Sequence, residues 1–172
     1  ARLGHAIADA NGIASAFADL GDYPMPIYNG DIETNEGAPD NCRKLKALMK
    51  VHSGVFIASP EYNASFSPLL KNAIDWVSHT KEDGEPGTEV FKTRVFALGS
   101  ASPGGMGGLR GLSSLRLVLE NGLNALVLPD QFLVPRAADA FDEDGHLKNK
   151  ESQANFKAVI QKLARAAHVL HG

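Results

Sequence analysis

The sequence predicts an α/β protein built on a doubly wound parallel sheet, and three observations lead there. Short apolar runs of strand length alternate with segments of helical periodicity, in the order helix, strand, helix, strand, helix, strand, helix, strand, helix. Strict alternation of this kind builds βαβ units and hence parallel pairing. No internal repeat or domain boundary interrupts the order. The two loops richest in versatile side chains, residues 59–67 and 100–108, each follow a strand directly. That places both at the carboxyl edge of the sheet, where parallel sheets bind ligands.

Each element has its own signal. Leu3, Ala6, Ile7 and Ala10 fall at i, i+3, i+4 and i+7, so a helix is under way from Ala1, with no capping residue before it. Asn11-Gly12 closes it, since both residues tolerate the left-handed conformation. Residues 13–20 read as a strand, and 22–39, with Pro24, Pro26, Gly30 and Gly37, read as loop. A second helix over 41–52 carries Leu45, Leu48 and Met49 on one face. Gly54–Ala58, an unbroken apolar run, reads as a strand buried on both faces. Ser67 caps the next helix and Pro68 suits its first turn, where a missing N–H costs nothing. Leu70, Ala73, Ile74 and Val77 make its stripe, widened by Leu69 and Trp76. A polar connection over 80–88 leads to a strand at 94–99. After the Gly-rich loop, a helix from about Leu109 carries Leu112, Leu115 and Leu119 and closes at Asn121-Gly122. Residues 123–128 read as a strand. The last helix, about 152–171, keeps Phe156, Val159, Ile160, Leu163, Ala167 and Leu170 at helical spacing.

Composition narrows the class. At 172 residues the chain suits one domain over 1–172, and 44% apolar with 22% charged residues is ordinary for a soluble globular protein. A net charge of −3 with scattered Lys and Arg gives no general attraction to nucleic acid or anionic membrane. Cys42 is the only cysteine, which excludes an internal disulfide and fits a reducing compartment. No apolar run approaches the roughly 18 residues of a membrane helix, and no signal peptide is visible. The expected location is cytoplasmic.

The candidate chemistry lies in the two loops. Gly99-Ser100-Ala101-Ser102-Pro103-Gly104-Gly105-Met106-Gly107-Gly108 does not make a dinucleotide fingerprint, because Arg110 stands where the third glycine belongs. It lacks the Gly-Lys-Ser/Thr of a Walker loop as well. Its glycines still let a planar ligand approach the backbone, and the helix N-terminus behind them favours electron-rich atoms. A serine hydrolase centred on Ser102, with Asp142, Asp144, His146 or His168, fails on two counts. Ser100 holds the place of the first elbow glycine, and Pro103 has no N–H to give an oxyanion hole. Asp142-Glu143-Asp144-Gly145 resembles part of a calcium loop, but Leu147 and Lys148 follow where oxygen ligands should; it reads as a turn. His168 and His171 suit the C-terminal end of a helix. In the first loop, Pro60 stiffens the strand exit, Tyr62 offers a flat face with a polar tip, and Asn63 supplies a donor and an acceptor. Glu61 reads from composition alone as solvated charge. Such a loop suits an aromatic ligand held edge-on.

"PEYNASFSPLLKNAIDW" resembles the signature of the NAD(P)H-dependent FMN reductases, the flavodoxin-like group of quinone, azo-dye and chromate reductases. The likeness continues through "GSASPGGMGGLRGLSSLRLVL" and "FDEDGHLKN", covering nearly the whole chain. It implies a flavodoxin-like fold with strand order 2-1-3-4-5. It implies an FMN-dependent oxidoreductase passing hydride from NAD(P)H through FMN to a quinone, azo compound, free flavin or metal oxyanion. The alternative is a flavin-binding electron carrier or redox-sensing module that does not turn over NAD(P)H. Carried onto this sequence, the resemblance implicates Pro60, Glu61, Tyr62 and Asn63 along the flavin ring, and Ser100, Ser102, Gly104 and Gly105 on its other side. No side-chain acid or base is required for hydride transfer, and no metal ligand is implied. The LKNAIDW helix serves at the dimer interface in this family, which gives Trp76 an expected partner in a homodimer or homotetramer. The family opens with a strand and a Ser/Arg-rich phosphate loop that these residues do not contain, so the expectation is a chain truncated relative to the family.

Overall fold

Three apolar segments form one parallel sheet in the computed structural model, which describes residues 1–82 and 84–171. The strands are β1 (Gly54–Ala58), β2 (Val95–Ala101) and β3 (Leu126–Val134), in the spatial order β1-β2-β3. Side chains leave a strand alternately to opposite faces, and β2 shows what each face meets. Phe96 and Leu98 enter one cluster with Cys42 and Leu45 of α3 (Asp40–Lys50), Ile74, Trp76 and Val77 of α4 (Pro68–His79), Phe91 of α5 (Glu89–Lys92), and Leu112 and Leu115 of α6 (Leu109–Arg116). Val95 and Ala97 enter a second cluster, with Ala8 of α1 (Arg2–Ala10) and Phe156, Ile160 and Leu163 of α8 (Lys150–His171). The result is a three-layer α/β/α arrangement. Gly54 lets α8 lie close on β1, since a Cβ there would stand 3.1 Å from that of Ala167.

Several elements depart from the sequence reading. Residues 13–20 join no ladder and end in a 3-10 turn over Leu20–Asp22 that Asp19 caps. In the expected strand order this segment pairs only with a first strand, which the described residues do not contain. Within the supposed loop 22–39, a helix α2 forms over Gly30–Glu36, because Asn29 accepts the N–H of Asp31 and Gly37 closes the far end at φ +77°. β1 is only half-buried rather than covered on both faces, since no strand among the described residues flanks its outer edge. β3 begins three residues later than expected and runs past Pro129 to Val134. Its pairing with β2 jumps from Phe96↔Val127 to Leu98↔Gln131, a bulge that takes up a proline with no N–H to give. α6 continues as a π turn over Leu117–Gly122, and a short helix α7 (Ala137–Ala140) follows β3.

Trp76 is a further correction. It is fully buried within the chain rather than held for a second subunit, and its indole N–H donates to Pro26 O at 2.7 Å. Tyr28 packs edge-on against its ring, and Asn72 bonds both Tyr28 N and Pro26 O, so the 22–39 segment covers this side of α4. Lys46, also fully buried, donates from its ammonium to Thr80 O at the end of α4. Beside it, burial pushes the Cys42 thiol up. No helix among the described residues is long and apolar enough to cross a membrane.

Candidate functional site

The exit from β1 is a small rigid hairpin. Ser59 N–H bonds Gly99 O, and Ser59 Oγ accepts the N–H of Ser67, which closes the loop at its base. At its tip Tyr62 and Ser65 exchange two backbone hydrogen bonds of 2.8 and 2.9 Å around Asn63 and Ala64. Both central residues have positive φ, +50° and +63°, as a type I′ turn requires. The turn holds Tyr62 outward, 56% exposed.

The Gly-rich loop is fastened just as closely. Ser102 N donates to Val134 O, Ser102 Oγ accepts from Gly104 N, and Arg136 N and Ala137 N donate to Gly104 O and Ser102 O. The loop is thereby tied to the end of β3. Gly107 and Gly108, rather than Gly104 and Gly105, are the positions where only glycine fits. Both have positive φ, and a Cβ on Gly108 would lie 1.9 Å from Ser100 Oγ. Gly105 has nothing within 4 Å of such a Cβ, so the tip of the loop faces open space.

Glu61 joins the two loops. Its Oε1 accepts from Arg110 Nε and Nη2 at 3.0 and 2.5 Å, and its Oε2 accepts the N–H of Gly111 at 3.1 Å. The side chain is 6% exposed, so it is not the solvated charge that composition suggested. The Gly111 N–H and the Arg110 guanidinium hold its carboxyl below the usual carboxylate range. The N-terminus of α6, expected to favour electron-rich atoms of a ligand, is thus filled by the chain's own carboxylate.

A cavity of about 270 Å³ opens at the carboxyl ends of all three strands. Ala58, Ser59 and Pro60 line it from β1, Gly99, Ser100 and Ala101 from β2, Phe132 and Val134 from β3, and Ala1 and Leu3 from the start of α1. Its floor is aromatic. The Phe132 and Phe156 rings stack with centroids 4.4 Å apart, and Phe56 packs on Phe156 at 5.3 Å. Ser100 Oγ is the one buried side-chain polar atom without a hydrogen-bond partner among the described residues. A hydroxyl left so at the strand ends costs roughly 1–3 kcal/mol and invites a ligand atom.

Of the eight residues named from the sequence, Pro60 and Ser100 line this cavity. Tyr62 and Asn63 border a second, wider groove of about 770 Å³, shared with Pro68 and Lys71 of α4 and Leu117 beyond α6. Ser102, Gly104 and Gly105 sit on the neighbouring loop, and Glu61 lies between the two loops. Arg110 and Gly108 were missed. The only sequence signal for them was their place at the joint between loop and helix. The hydrolase alternative finds no support: Ser102 Oγ accepts from Gly104, while Asp142 Oδ1 accepts from Asp144 N and His146 N within a closed turn. Asp142, Asp144 and His146 do come together on the surface, but as that turn.

Residues 1–139 match the NADPH-dependent FMN reductase family. The chain is 31% identical over 150 residues to a probable NADPH:quinone oxidoreductase of Oryza sativa subsp. japonica, covering 86% of this chain and 70% of that protein. It is 32% identical over 148 residues to an NADPH azoreductase of a Bacillus species, covering 86% and 71%. Among solved structures, it superposes on the flavoenzyme NAD(P)H:(acceptor) oxidoreductase FerB of Paracoccus denitrificans with a TM-score of 0.78 at 22% identity, covering 98% and 87% of the two chains. That last likeness establishes the flavodoxin-like fold.

Proposed function

The chain belongs to the NADPH-dependent FMN reductase family, oxidoreductases that use NAD(P)H and FMN, and we propose that it reduces a quinone or azo compound with the cofactor held at the carboxyl edge of its sheet. The observation that carries the placement is the meeting of two fastened loops beside an aromatic-floored cavity with an unpartnered Ser100 Oγ. These residues fit a flavin nucleotide. Tyr62 offers an exposed aromatic face, Asn63 and Ser102 offer hydrogen-bonding groups, and Gly104 and Gly105 keep the opposite side free of side chains. The cavity alone lies just below the range of roughly 300–1,000 Å³ usual for such sites, so it would take part of the cofactor, and the open surface of the two loops the remainder.

When bound, FMN supplies the hydride chemistry. The chain's contribution is placement. Tyr62 and Asn63 would orient the ring, the Gly-rich loop would border its other side, and the ring face left open would receive nicotinamide and acceptor in turn. No acid or base of the chain is assigned a proton. On this reading residues 1–172 act as one FMN-binding domain in the cytoplasm, which Cys42, a single buried free thiol, supports. The same reading includes a homodimer or homotetramer, supported by exposed Tyr62 and Leu117 at the second groove and by exposed Leu69 on α4.

The test is an FMN titration followed by quenching of flavin fluorescence. Replacing Tyr62 and Asn63 together with Ala removes an aromatic contact and a hydrogen bond, about 1–3 kcal/mol, and should weaken binding some 5- to 150-fold in a folded protein. Equal affinity would remove this hairpin from the site. Loss of flavin colour on adding NADPH separates the reductase from an electron carrier that does not accept hydride.

A further inference from the structure

Glu61 lies in the hairpin after β1, and Arg110 and Gly111 lie 49 and 50 residues later, at the start of α6. α6 has no side-chain cap of its own, because its N-cap is Gly108 in a left-handed conformation. Glu61 supplies that cap from the other loop. The contact is tight: a Cβ on Gly111 would lie 3.1 Å from Ser65 O and 3.4 Å from Glu61 Cβ. The carboxylate is almost wholly enclosed, while Arg110 remains 58% exposed.

We propose that Glu61 and Arg110 are a charge-balanced positioning pair, which fixes the spacing of the two loops and sets the electrostatic potential at the flavin without binding it. This rests on the reading that FMN lies against these loops. As a pair the two charges nearly cancel. With one removed, the other is left beside a cofactor that carries more negative charge reduced than oxidised. An unpaired Arg110 then favours the reduced form, and an unpaired Glu61 disfavours it. A merely structural strut makes no such distinction of sign.

The experiment compares wild type, Glu61→Gln, Arg110→Gln and the double variant as FMN-loaded proteins. The midpoint potential is read by spectroscopic titration, and the melting temperature of the FMN-free proteins is read alongside. Glu61→Gln keeps an acceptor for Gly111 N–H, so it removes charge with little loss of shape. The potential is expected to rise in Glu61→Gln, fall in Arg110→Gln and return toward wild type in the double variant. Shifts of the same sign, or none, would overturn the proposal. Arg110→Gln leaves the bond from Gly111 to Glu61 intact, so it keeps the test decisive even if Glu61→Gln does not fold, and its downward shift alone then decides. The Tyr62→Ala, Asn63→Ala protein separates the two levels of argument. If it binds FMN like wild type, the placement of the flavin fails and the pair proposal falls with it. If it loses FMN while the charge variants leave the potential unmoved, only the pair proposal falls.

Discussion

Asn63 and Ala64 hold the two left-handed positions of the turn that presents Tyr62. That conformation costs an L-residue roughly 1–2 kcal/mol, and asparagine offsets part of it through its own side chain, whereas alanine has nothing to offset it with. Ala64→Gly relieves the strain and adds about 0.5–1 kcal/mol of entropic cost, so the variant should be more stable by up to about 1 kcal/mol. A higher urea midpoint at unchanged slope would show it. Glu61 makes a second prediction, in pH. Its folded-state pKa is depressed, so the stability it contributes is present above its unfolded value and lost as pH falls through the folded one. The stability difference between wild type and Glu61→Gln should therefore hold constant down to about pH 5 and shrink below about pH 4. Urea unfolding of both proteins across that range measures it. The place of Tyr62 and Asn63 on an exposed loop after a strand was legible because that signal is local. The hydrogen bonding of Glu61 was not, because its partners, Arg110 and Gly111, come from the start of α6.

At the scale of elements, local signals were read well wherever the cap and the stripe agreed. Ser67 accepts the N–H of Leu70, Pro68 opens α4, and Leu70, Ala73, Ile74 and Val77 are buried as their spacing requires. What could not be read was anything decided by a neighbouring strand. Residues 13–20 have strand-like length but no ladder, and β3 passes Pro129 because β2 accommodates a bulge there. α2 was overlooked for a different reason: its prolines lie before Asn29 and after Gly37, outside the helix they appeared to forbid. The same dependence on a neighbour gives a prediction at Gly99. A Cβ there would stand 2.5 Å from Cζ of Phe56, whose ring forms part of the cavity floor. Gly99→Ala must push that ring off Phe156, costing about 1–3 kcal/mol as overpacking does. Thermal unfolding should show the loss, and the affinity for FMN should fall with it, because Phe56 lines the cavity at the strand ends.

For the molecule as a whole, the question is which surface a second copy would cover. The sequence offered Leu69 and Trp76 as one patch on α4, but the fold separates them. Trp76 is sealed under Tyr28 and Pro26, whereas Leu69 stays 47% exposed. The two positions should therefore respond in opposite ways to substitution. Trp76→Ala empties the centre of a core cluster, and losses of about 3–5 kcal/mol are usual for such a change, enough to unfold a marginal domain. Leu69→Asp alters a side chain already half in water, so the monomer should change by less than about 0.5 kcal/mol. A buried charge in an apolar interface, however, has no partner and is strongly disfavoured. Sedimentation velocity at micromolar concentration should show wild type as an oligomer and Leu69→Asp as a folded monomer. Trp76, the single tryptophan, reports independently on the fold. Because its ring is buried within one chain, its emission should be the same in both proteins. A Leu69→Asp protein that still sediments as the wild-type oligomer would exclude this face of α4 as the interface, and a red-shifted Trp76 would mean that the substitution had disturbed the core instead.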